Sequence, residues 1–221
     1  MTRTRLAFAL TLAMAALPAF AQQPESIDRV NGSITAESSR TYGDLETVNG
    51  SIRIESSARI DDAETVNGSI HAADNISARS LSTVNGSIKV GMQAQVGGNI
   101  ETVNGSIFVD RGGNVARGVE TVNGAIGLVD TDLGGGIETV NGDVTVGVGS
   151  HVRGGIHVEK PSNNWMSGKR KPPRIVIGPN ARVDGAMVFE REVVLYVHTT
   201  AKVGSITGAR AIPFSTDRAP D

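Results

Sequence analysis

The apolar positions of this chain recur in short, evenly spaced groups rather than in helical stripes. Aliphatic residues fall about six apart, as in Val48, Ile54, Ile60 and Val66 or Val84, Val90 and Val96, while Ile52/Ile54 and Ile107/Val109 alternate locally with polar neighbours. The spacing predicts three short strands per unit, divided by corners, with these aliphatic residues turned inward. A helix would show a 3.6-residue stripe, and Asn-Gly recurs where a helix would have to continue.

One phrase carries the pattern seven times. Residues 30–34 read VNGSI; TVNGSI begins at Thr47, Thr65, Thr83 and Thr102, TVNGAI at Thr121 and TVNGDV at Thr139. Its asparagines, Asn31, Asn49, Asn67, Asn85, Asn104, Asn123 and Asn141, keep one constant step, except that the steps from Asn85 to Asn104 and from Asn104 to Asn123 are each one longer. Those two steps place an extra residue between Val96 and Ile100 and between Val115 and Val119. Units this small cannot bury an apolar face alone, so a fixed period of this length signals a stack. The expected fold is all-β, a single-stranded parallel β-helix (solenoid) of about 18 residues per coil, with coils about 4.8 Å apart. Left-handed hexapeptide helices prefer small residues where this chain places Ile52, Ile70 and Ile88, so a right-handed coil is expected.

The last third keeps the frame without the phrase. Val144-x-Val146-Gly147, Ile175-x-Ile177-Gly178 and Leu195-x-Val197 repeat the core pair, and carry the solenoid domain over 22–206, with 207–221 as a tail. Between Val144 and Ile175 the step is far longer than one coil needs, and the excess is a basic, proline-rich loop at 159–174 containing Trp165, Lys169, Arg170 and Lys171. Insertions in solenoids fall outside the core and often form contact surfaces, so this loop is either a solvated excursion or a partner contact.

Composition places the stack. Arg3 and Arg5 precede an apolar run and then Ala19-Phe20-Ala21, the pattern of a cleavable signal peptide over 1–21. The run is too short to span a bilayer and no later one is longer, so no transmembrane segment is expected. The chain has no cysteine, hence neither disulfides nor a lipoprotein thiol, and a periplasmic or secreted location is expected. A net charge of −2 gives no reason to expect nucleic acid as a partner.

Candidate chemistry is thin. The asparagines are expected to be structural, tolerating a left-handed corner and bonding along their column. Glu46, Glu64, Ser82, Glu101, Glu120 and Glu138 form a second column, either a solvated edge or a site for cations or a basic partner. Asp61-Asp62 and Asp130-x-Asp132 are acidic pairs at coil corners, and His151 and His157 are the only histidines expected to approach one another. Leu133-Gly134-Gly135-Gly136 lacks the lysine and the helix of a phosphate loop and reads as a tight corner. No catalytic residue, cofactor or metal site is assigned.

The ETVNGSI and ETVNGDV phrases over residues 30–158 resemble those of a bacterial family of adhesin-like β-solenoids whose molecular function is undefined. The C-terminal stretch from Ala181-Arg182-Val183-Asp184-Gly185-Ala186 to Val203-Gly204-Ser205-Ile206 is similar to bactofilins, polymer-forming parallel β-helices. The signal peptide, the repeats and the absence of a catalytic constellation lead to the expectation of a non-enzymatic structural or adhesin-like protein of the cell envelope, whose partner is itself, end to end, or an envelope or surface component. Two alternatives stand beside it: a scaffold that assembles end to end with itself, and a β-helix that binds or processes carbohydrate.

Overall fold

The computed structural model describes residues 24–161 and 171–220. Residues 1–21, which the sequence leads us to expect as a signal peptide, and, in the insertion, Trp165, Lys169 and Arg170 lie outside the described residues. Every regular element described is a β-strand, and all neighbouring strands pair in parallel. They form three sheets, here A, B and C, of ten, ten and seven strands. One coil visits each in turn, as in Ser80–Asn85 in sheet A, Ile88–Val90 in B and Gln95–Val96 in C. Ten coils at about 4.8 Å make a solenoid roughly 45 Å long.

Like residues stack on like. Ile100, Glu101, Thr102 and Asn104 pair with Leu81, Ser82, Thr83 and Asn85 of the coil before and with Val119, Glu120, Thr121 and Asn123 of the coil after. In sheet B, Ile34, Ile52, Ile70, Ile88, Ile107 and Ile126 form one fully buried column, the β-branched filling that suits a strand covered from within. Bulk is exchanged between two successive coils: Ile54 goes with Ala58 at the next corner, whereas one coil on Ala72 goes with Ile76. The summed volume stays near constant, which close packing demands.

Two expectations are corrected. The valine of the repeated phrase does not face the core: Val48, Val66, Val84 and Val103 are each 40% exposed, and Thr47, Thr65, Thr83 and Thr102 beside them are buried. Strand alternation allows either phase, and the threonine wins because its hydroxyl finds an acceptor inside while its methyl packs. Nor do the asparagines supply the left-handed turn. In residues other than glycine that conformation falls at the corner between sheets B and C, on Ser39, Ser57, Asn75, Gln93, Asp130 and Asn180, with Gly112 and Gly149 in the same column, while in the phrase a positive φ is taken by the glycines Gly32 and Gly124 and by no asparagine.

The extra residue between Val96 and Ile100 recurs between Val115 and Val119, Leu133 and Ile137, and Val152 and Ile156. The coil from Asn123 to Asn141 returns to the shorter length by tightening its B-to-C corner, between Leu128 and Leu133, where Asp130 is left-handed. Strand structure also runs beyond Ile206, where the sequence pattern ended the stack. Ala211–Phe214 pairs with Val194–His198, and Arg174 Nη2 donates to the Ala219 and Pro220 carbonyls at 3.3 and 2.8 Å, holding the tail. Proline at 213 removes a backbone donor from this terminal strand, which discourages further pairing.

Candidate functional site

The repeated phrase is a set of coil-to-coil bonds. The buried threonine hydroxyl donates to the glycine carbonyl of the preceding coil, as from Thr65, Thr83 and Thr102 to Gly50, Gly68 and Gly86 at 2.8, 2.9 and 3.0 Å. The serine hydroxyl oxygen accepts from the next coil's backbone N–H, as Ser69 does from Ser87 at 3.1 Å. Glycine between them is required by contact rather than by backbone angle: a Cβ on Gly68, Gly86 or Gly105 would run into the glycine carbonyl one coil below. Each asparagine Nδ2 donates to the preceding Oδ1, from Asn49 to Asn31 through to Asn141 to Asn123, at 2.9 to 3.1 Å. At about 1 kcal/mol net per bond these six hydrogen bonds are a substantial part of the stack's cohesion.

The ladder has a terminator that sequence reasoning missed. Arg191 Nη1 donates to Asn141 Oδ1 at 2.6 Å and to the Val140 carbonyl at 3.0 Å. In the next coil the insertion begins at the ladder position, and the arginine reaches down from the coil beyond. A second polar column at the C-to-A corner was also missed: Asp44 N–H donates to Ser26 Oγ, Asp62 N–H to Asp44 Oδ1 and Ser80 Oγ to Asp62 Oδ1, with the Arg79 guanidinium bridging both carboxylates.

Sheet A presents the most regular outer surface. Glu46, Glu64, Glu101, Glu120 and Glu138 point outward in one column, and the valines lie two residues along in another, over an open groove that reaches from Val84 to Glu159. Partial burial pushes the Glu64 and Glu120 carboxyls above the usual range, and their glutamate neighbours push further in the same direction. His157 follows Glu138 in the column, with Nε2 3.0 Å from Glu190 Oε1. The Lys160 N–H, and after it His157, hold the Glu190 carboxyl low.

The other candidates disperse, except that His151 Nδ1 lies 3.5 Å from Asp132 Oδ1. Asp61 is exposed, and Asp62 belongs to the polar column just described. Asp130 occupies its left-handed corner while Asp132 pairs with Arg153 at 3.1 Å. His151 and His157, expected near one another, lie on different sheets: His151, in sheet C, has Nε2 2.8 Å from Asp184 Oδ2. That bond, and then Arg182, hold the Asp184 carboxyl low. Lys171 is exposed. Gly134 and Gly135 form a corner tight against the Ala116 and Arg117 backbone. Among the described residues no three His, Asp or Glu side chains gather as a metal ion would require, and no helix is long and apolar enough to cross a membrane.

Compared with profiles of protein families, with curated proteins and with solved structures, the chain gives no match.

Proposed function

We propose that the chain is an exported, non-enzymatic rod of the cell envelope that works by presenting a repetitive surface, as an adhesin-like or scaffolding module. The observation that carries this reading is the side-chain bonding of the phrase. Threonine, asparagine and serine in successive coils are engaged in holding one coil to the next, which makes a stiff support for whatever its faces bear. Export is supported by the N-terminal sequence alone, and the adhesin-like role by the resemblance of the repeats.

The test is cell fractionation followed by imaging of the purified protein. The expected result is rods roughly 45 Å long recovered from the periplasm or medium. Retention in the cytosol overturns export, and measurable cleavage of a glycan overturns the non-enzymatic assignment. End-to-end self-assembly has one observation in its favour, the outermost strand Glu25–Asn31, which is exposed along nearly its whole length. Filaments in the same images would establish it in place of the single rod.

A further inference from the structure

The phrase and the residue before it, Glu in five copies but Asp28 in the first and Ser82 in the fourth, contain two positions that the scaffold does not use. Threonine, asparagine, glycine and serine make the bonds and contacts between coils, and the isoleucine fills the core. Valine and the preceding glutamate do neither, for both face outward from sheet A. The outward positions of the other sheets show what the fold tolerates there. Sheet B carries Thr35, Arg53, His71, Lys89 and Phe108 in one such column, and sheet C carries Gln95, Asn114, Asp132, His151 and Arg182 in another. Repetition of the coil therefore does not by itself keep an outward residue unchanged. In sheet A valine occurs in all seven copies of the phrase, and in the first five it is 40% exposed or more. An apolar stripe of that regularity on a water-facing surface marks a contact.

We infer that the valine column and its flanking glutamates are a docking face for a basic amphipathic α-helix of a partner protein, laid along the solenoid axis. The valines offer an apolar strip one coil per step, and the glutamates a parallel strip of negative charge roughly 7 Å to one side. A helix repeats every ~5.4 Å, close to the ~4.8 Å between coils, so lysines one turn apart drift by only ~0.6 Å per coil, well within their reach. An extended strand repeats its side chains every ~6.8 Å and falls out of step by the second coil. The groove from Val84 to Glu159 spans five coils, about 19 Å, which is the length of roughly 13 helical residues.

This inference deepens the binding-rod reading and rests on it. The probe is a synthetic peptide with a leucine stripe beside a lysine stripe, titrated onto the full chain by fluorescence anisotropy at low salt. A length of about 18 residues lets it form a helix in isolation and cover the groove. Micromolar binding is expected. Replacing Val84, Val103 and Val122 together by Thr, which keeps strand propensity, should weaken it about tenfold or more. Glu101→Gln, Glu120→Gln and Glu138→Gln together should weaken it similarly and remove most of its salt dependence. Unchanged circular dichroism spectra of both variants show that the fold is retained, and the comparison of peptides on the wild type stands even if one variant fails to fold. Equal binding of a scrambled peptide of the same charge, no binding by wild type, or tighter binding of a cationic oligosaccharide overturns the inference. Any of these leaves rod-shaped particles in the images, so failure here is distinguishable from failure of the rod itself.

Discussion

Replacing Gly86 by Ala tests the stacking at its tightest point. The added methyl would meet the Gly68 carbonyl oxygen and carbon and the Ser69 nitrogen, all backbone and all well inside the ~3.5 Å at which such atoms rest. The two coils can relieve this only by separating at that corner. Separation strains the Thr83 hydroxyl to Gly68 carbonyl bond at 2.9 Å, the Asn85 to Asn67 amide bond at 3.0 Å and the Ser87 N–H to Ser69 hydroxyl bond at 3.1 Å. At about 1 kcal/mol each, the expected cost is about 3 kcal/mol, or a melting temperature lower by about 10 °C for a chain of this size. Gly97 in the same coil is the control, because a Cβ there meets only the Ala78 carbonyl oxygen at an ordinary 3.9 Å. Gly97→Ala should be neutral or slightly stabilising, since it narrows the unfolded ensemble. Thermal and urea unfolding followed by far-UV circular dichroism measure both, and hydrogen exchange at residues 67–69 and 85–87 locates the damage. A Gly86→Ala cost below about 1 kcal/mol, or an equal cost for Gly97→Ala, would refute the claim that close contact, not backbone freedom, selects this glycine.

Three further outcomes rest on the same geometry. Val84→Thr should change stability by no more than about 0.5 kcal/mol, whereas Val90→Thr, which puts a hydroxyl into the core, should cost about 1–3 kcal/mol; the reverse order in urea denaturation would return the phrase valine to the interior. Gln93→Gly should raise stability by about 1 kcal/mol, because Gln93 holds a φ of +56° that glycine adopts freely, while Gln95→Gly in the neighbouring strand should lower it in the same melts. The raised Glu120 carboxyl means that the folded chain binds its proton more tightly than the unfolded one, so this group lowers stability as pH climbs above its ordinary 4.5. Glu120→Gln should therefore stabilise at neutral pH and lose its advantage on acidification, and an advantage independent of pH would count against that cause.

The fold was legible because its demands repeat: the column from Ile34 to Ile126 writes the same inward residue at the same place in six successive coils, and no helical period competes with it. The phase of the phrase was not legible. In Thr-Val-Asn alternation alone permits either side chain inside, and the decision rests on a glycine carbonyl one coil below, which has a position only after the register is known. The left-handed corner escaped for another reason, since Ser39, Asn75, Gln93 and Asp130 share a backbone angle but no letter. Arg191 lies far along the chain from its acceptor Asn141, across an insertion, and nothing local marks it. At the surface, the glutamate column was visible as letters, but its valine companion could not be seen as a contact surface while it was counted as core.

The asparagine ladder gives the rod a direction. All six amide bonds point the same way, so their dipoles add: Asn31 receives a hydrogen bond from Asn49 and hands none on within the ladder, whereas the last oxygen, on Asn141, meets a guanidinium. An arginine placed there does for a column of side chains what a cation does at the C-terminus of a helix. The two ends are thus electrically unlike, and a coil gained by duplication has to enter between existing ones, with its amide facing the way of its neighbours, for the current of hydrogen bonds to remain unbroken.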